Sequence, residues 1–216
     1  MRIYNLALAL SPYFGKIMIL CASSYTEVYA DKRVSEKIFE MDVPNSWLRS
    51  ILLAPLYWGF NNADAFASFK VGERFKSLLK DCLKHAKIII LAHPYLSPLI
   101  DGFEGKIIYD AVDVDFVASV KYNAGKPFAR LVNSKVWNVE RLACEISEKV
   151  IATNDSDSAL VNAIYGKPAQ TLRTPIDTEH IEPVPSRGHL ITFIGSDVQH
   201  NRDVLPIVLK LARELP

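Results

Sequence analysis

The stretch Lys87-Ile-Ile-Ile-Leu-Ala-His93-Pro-Tyr95 carries the fold. Its aliphatic residues run without a break instead of alternating with polar ones, the pattern of a strand covered on both faces. A second such run is Lys16–Cys21 (Lys-Ile-Met-Ile-Leu-Cys), and shorter ones are Lys106–Tyr109 and Val150–Ala152. Helical spacing fills the intervals. Phe75, Leu78, Leu79, Cys82 and Leu83 lead to His85 ahead of the first stretch, and a longer helix spans roughly Val136–Ser147 after it. Buried strands alternating with helices predict an α/β protein built on a parallel sheet.

Working outward, Ile3, Leu6, Ala7 and Leu10 fall on one helical face, so the chain opens on a helix that stops before Pro12. Val34–Glu40 alternates weakly and reads as an edge strand. Ser46 is placed to cap a helix containing Trp47, Leu48, Ile51, Leu52 and Leu53. Asp155 and Ser156 stand where the next helix needs its cap, and Gly166 ends that helix. Gln170–Leu172 is a last short strand. These elements predict a doubly wound, Rossmann-like sheet over residues 1–173. Residues 174–189, with Pro175, Pro183, Pro185 and Gly188, have the composition of a linker. Residues 190–216 then read as one further βα unit: strand Leu190–Ile194, a turn at Gly195-Ser196, and an amphipathic helix from about Arg202 to Glu214. One strand and one helix cannot cover their own apolar faces, so this unit either packs on the preceding domain or opens something longer.

Composition narrows the function classes. The 216 residues are 50% apolar and carry a net charge of +1, with Lys and Arg scattered, so no nucleic-acid footprint is expected. Cys21, Cys82 and Cys144 are far apart and form no Cys-x-x-Cys pair; reduced thiols in a cytoplasmic protein are the expectation. No window reaches the ~18–20 apolar residues of a membrane span. Trp47–Phe60, with Arg49 as its sole charge, reads either as a buried segment or as a peripheral contact with a bilayer.

In parallel sheets, ligands bind beyond the carboxyl ends of the strands. There the sequence puts His93, then Asp110, Asp113 and Asp115, then Thr153, Asn154 and Asp155, and finally Gly195, Ser196 and Asp197. His93 reads as a proton-transfer or hydrogen-bonding group, or as a structural histidine. Asp110, first to leave its strand, is placed to act as a general base or to accept a substrate hydroxyl. Asp113, Thr153 and Asn154 complete the rim. Three carboxylates along one strand end with no histidine beside them do not make a metal set, and none is expected. Gly195-Ser196 lacks the repeated glycines of a dinucleotide loop, yet a helix N-terminus follows it, which suits a phosphate.

The order of these elements resembles the GT-B glycosyltransferases, closest to the family 4 type. The resemblance rests on Glu140-Arg-Leu-Ala-Cys-Glu-Ile-Ser-Glu-Lys-Val-Ile-Ala-Thr-Asn-Asp155, on Tyr165-Gly166, on Arg173-Thr-Pro-Ile-Asp177, on Thr192-Phe-Ile-Gly-Ser196 and on the opening Arg2–Leu10 helix. It implies an acceptor-side domain followed by the start of a donor-binding domain. His93 would face the sugar, and Gly195 and Ser196 would lie near the donor diphosphate. The substrates implied are a nucleotide-sugar donor and a glycan or lipid-linked acceptor, without a cofactor. Thr174-Pro175-Ile176-Asp177 departs from the family's Asn-Gly-Val-Asp turn, keeping only the Asp.

The family's first strand, central in its sheet, is not represented before the opening helix, so a gap or a compensation is expected. The chain by itself is then expected to be inactive and to self-associate, or to pair with a partner carrying a donor domain. A non-catalytic partner subunit or interaction module is the rival reading.

Overall fold

A computed structural model describes residues 2–23, 30–33, 36–44, 71–174 and 199–214. The chain divides into two compact units, Met1–Ile176 and Asp177–Pro216. The first opens with α1 (Arg2–Leu10), β1 (Ile17–Ser23), β2 (Ala30–Arg33) and β3 (Ile38–Pro44). It continues through α2 (Glu73–Leu83), β4 (Ile88–Leu91), a 3-10 turn (Pro94–Leu96), α3 (Ser97–Ile100) and β5 (Lys106–Ala111). Then come α4 (Asp115–Tyr122), α5 (Ala129–Ile146), β6 (Lys149–Ala152), α6 (Asp155–Tyr165) and β7 (Ala169–Thr171). In the second unit α7 (Gln199–Glu214) is described; the strand expected at Leu190–Ile194 lies outside the described residues.

The protein is α/β with parallel strands. Among the described residues the strands form two sheets. One runs β4-β5-β6-β7 in chain order with every pair parallel. The other runs β1-β3-β2, with β1 parallel and β2 antiparallel to β3. The segment read as an edge strand at Val34–Glu40 is thus shifted: the strand begins at Ile38 and lies in the middle of its sheet, because β2 covers its other side.

The main core gathers Leu91, Ile107, Tyr109, Ala111, Val150 and Val161 with Ala143 and Cys144 of α5. On β1, side chains alternate between two helices, as the strand period requires. Ile17, Ile19 and Cys21 pack with Tyr4 and Ala7 of α1, while Leu20 packs with Phe75 and Leu79 of α2. Leu79 and Leu83 of α2 also join the core beneath β4 and β5, so one helix covers both sheets. β4 departs from the expected two-faced burial. Ile89 and Leu91 join the core, but Ile88 and Ile90 stay 37% and 38% exposed.

Two glycines are required by geometry. Gly166 ends α6 at φ +66°, where a side chain is strained. A β-carbon at Gly105 would sit 2.6 Å from the Lys87 carbonyl and 2.4 Å from the Phe103 ring.

Candidate active-site rim

His93, Asp113, Thr153 and Asn154 do follow the carboxyl ends of β4, β5 and β6, but Asp110 does not leave its strand: β5 continues to Ala111, and Asp110 pairs with Ile151 inside the ladder. His93 follows β4 in extended backbone (φ −138°) and is exposed, just ahead of the Pro94 turn. Tyr95, two residues on, donates its hydroxyl to Asp115 at 3.2 Å and so ties the exits of β4 and β5 together. Asp113 is exposed beyond β5. After β6, the Thr153 hydroxyl donates to the Val112 carbonyl at 3.1 Å, which fastens the exits of β5 and β6. Asn154 is exposed, and its side chain accepts the Asp157 amide at 2.8 Å. The helix cap is therefore Asn154, not Asp155 or Ser156. The reason is geometric: Asn154 holds extended backbone, as a cap needs, while Asp155 already belongs to the helix and accepts the Thr171 hydroxyl instead.

Asp110 belongs to the fold rather than to the open rim. It is fully buried, and its carboxylate is gripped by Arg2, whose Nε lies 2.9 Å and Nη2 2.8 Å from the two oxygens. The same guanidinium donates to the Leu172 carbonyl at 2.8 Å and reaches the Thr174 hydroxyl at 3.4 Å. One fork thereby joins the start of α1, the end of β5 and the exit of β7. A base for a substrate hydroxyl needs an oxygen that the substrate can reach; Asp110 offers none.

Glu140 is the polar residue that sequence reasoning missed. It lies on the buried stripe of α5 with Val136, Val139, Ala143 and Cys144. One oxygen accepts the Tyr109 hydroxyl (3.1 Å) and the Asp115 amide (2.9 Å); the other accepts the Phe116 amide (2.8 Å) and the Tyr165 hydroxyl (2.6 Å). Asp115 and Phe116 open α4, so a carboxylate from a neighbouring helix caps it. Burial raises the Glu140 acid above its ordinary value, partly opposed by the Tyr165 and Phe116 hydrogen bonds. Burial and the adjacent Glu140 also hold the Tyr109 and Tyr165 phenols well above theirs, and the Cys144 thiol is pushed up to about 12. The two phenols and the thiol are thereby held in their uncharged forms, which suits structure. A lone acid on an apolar helical stripe was the available signal.

No group of metal-ligating side chains occurs among the described residues. The three cysteines are free, with Cys144 buried and Cys21 and Cys82 half-buried. A shallow, open depression of about 370 Å³ is lined by Asp155, Ser158, Asn162 and Thr171 along α6 and β7, away from His93. Gly195, Ser196 and the segment 47–60 lie outside the described residues. No described helix is long and apolar enough to cross a membrane. Comparison of the chain with protein-family models, curated proteins and solved structures finds no match.

Proposed function

We propose that this chain carries the acceptor-side domain of a GT-B-type glycosyltransferase, with a Rossmann-like sheet, that transfers a sugar from a nucleotide-sugar to a glycan or lipid-linked acceptor. The observation that carries the reading is the sorting of polar groups at the carboxyl ends of the parallel strands. Asp110 is withdrawn into its pair with Arg2, while His93, Asp113 and Asn154 stand exposed at the ends of β4, β5 and β6. A histidine, a carboxylate and an amide offer both donors and acceptors, the set that matches sugar hydroxyls.

In this reading His93 accepts or orients the proton of a reacting hydroxyl, and Asp113 and Asn154 hold the sugar in place. Gly195 and Ser196 belong to the donor side, where backbone amides near a helix start would meet the diphosphate.

The test is saturation-transfer difference NMR on the purified chain with oligosaccharides and with nucleotide-sugars. Saccharide binding that His93→Ala weakens about tenfold, the value of one lost polar contact, is the expected result. Saccharides that give no signal, or bind the variant equally well, would remove the sugar-binding reading and favour the non-catalytic partner subunit.

A further inference from the structure

We propose that the tip of the α4–α5 hairpin is a docking surface for an anionic lipid bilayer. The position of the tip follows from hydrogen bonds. Ser97, just past β4, donates to the Val139 carbonyl at 2.9 Å, and the Asp115 and Phe116 amides, just past β5, donate to Glu140. Residues 139–140 of α5 are therefore level with the carboxyl ends of the strands. From there α5 runs on toward β6 in one direction; in the other, Ala129 lies ten residues, or about 15 Å, farther away. α4 runs antiparallel beside it, with Ser119 bonded to Asn133 at 2.7 Å. The turn between the two helices thus projects past the sheet edge, on the side of the rim.

That tip combines exposed rings with exposed cations. Tyr122 is 72% exposed and Phe128 70%, with Val120 exposed beside them. Phe128 sits at φ +61°, a left-handed conformation that bulky residues avoid, and it presents its ring to solvent. Lys121, Lys126 and Arg130 are exposed on the same turn, with the Lys126 ammonium 3.4 Å from the centre of the Tyr122 ring. No Asp or Glu occurs between Asp115 and Glu140. Exposed rings with interleaved cations on a protruding turn match the interfacial zone of a bilayer, where aromatic rings settle at headgroup depth and cations meet lipid phosphates. A nucleic-acid partner fits less well, because a net charge of +1 gives the chain no overall excess of positive charge to follow a phosphate backbone. The inference stands on this surface alone and holds whatever the rim binds.

Sedimentation with vesicles tests it, using phosphatidylglycerol mixed into phosphatidylcholine against phosphatidylcholine alone, and a single-stranded oligonucleotide as the competing partner. The chain should pellet with the anionic vesicles and much less with the neutral ones. Lys121→Gln/Lys126→Gln/Arg130→Gln should weaken binding about a hundredfold, each cation contributing roughly fivefold near an anionic surface. Tyr122→Ser/Phe128→Ser should weaken it about tenfold, with unchanged circular-dichroism melts because these side chains are exposed. Failure to bind anionic vesicles, variants that bind like the parent chain, or preference for the oligonucleotide would overturn the proposal.

Discussion

Asp110, near the end of β5, and His93, just past the end of the neighbouring β4, stand at the same edge of the same sheet, yet they sit in opposite circumstances. Asp110 is sealed beneath Arg2 with its oxygens engaged; His93 is exposed two residues beyond Leu91. A buried carboxylate survives in a fold only when its charge is paired and its lone pairs are occupied, and once those conditions are met it has nothing left for a ligand. The contrast extends to Glu140, whose two oxygens take four donors from three parts of the chain. The buried carboxylates Asp110 and Glu140 are committed to the fold, His93 and Asp113 are exposed at the sheet edge, and exposed Asn154 doubles as the cap of α6.

The largest expected effect on that contrast comes from Glu140→Ala. It strands two backbone amides and two phenols in the core, at roughly 1–3 kcal/mol per buried donor before water recovers part of it, so a loss on the order of 5 kcal/mol is expected in denaturant melts. A loss below about 1 kcal/mol would mean that water reaches the site freely.

Arg2→Met comes next. It leaves Asp110 buried and unpaired, with an expected cost of about 3–4 kcal/mol, and adding Asp110→Asn should restore a good part of it. Purely additive losses in that cycle would show that the pair is not coupled.

A smaller effect concerns pH. The folded chain holds the Glu140 proton more tightly than the unfolded chain, because burial raises this acid. Its contribution to stability is therefore full below the ordinary glutamate value and is lost as pH rises through the raised folded value. Glu140→Gln should flatten that part of the stability profile at a cost of about 1–2 kcal/mol, since its amide must face a backbone donor. An unchanged slope would assign the titration to another group. The smallest effect is expected for His93→Ala, within about 0.5 kcal/mol in stability because the side chain is exposed.

Much of this arrangement was legible in the residues. The unbroken runs at β1, β4 and β5 gave their strands and parallel pairing, and the Gly166 stop was read correctly because a left-handed helix end favours glycine. The cap at Asn154 was misplaced by one residue, since Asn, Asp and Ser side chains all satisfy the same donor and only backbone geometry chooses among them. The partners of Asp110 were not legible: Arg2 stands 108 positions away in sequence, and no local pattern encodes so distant a contact. Arg2 nevertheless left a trace as the lone charge in an otherwise uncharged opening helix, as Glu140 did on the apolar stripe of α5. Isolated charges on apolar faces point to a buried partner without naming it.

The separation of a locked interior from an open rim is tested most directly by mapping backbone amide shifts during titration with an oligosaccharide and, separately, a nucleotide-sugar. Shifts concentrated at His93, Asp113 and Asn154, with the amides of Asp110, Asp115 and Phe116 nearly still, are the expected result. Shifts centred instead on Asp155, Asn162 and Thr171, or no shifts anywhere, would contradict the assignment of the rim.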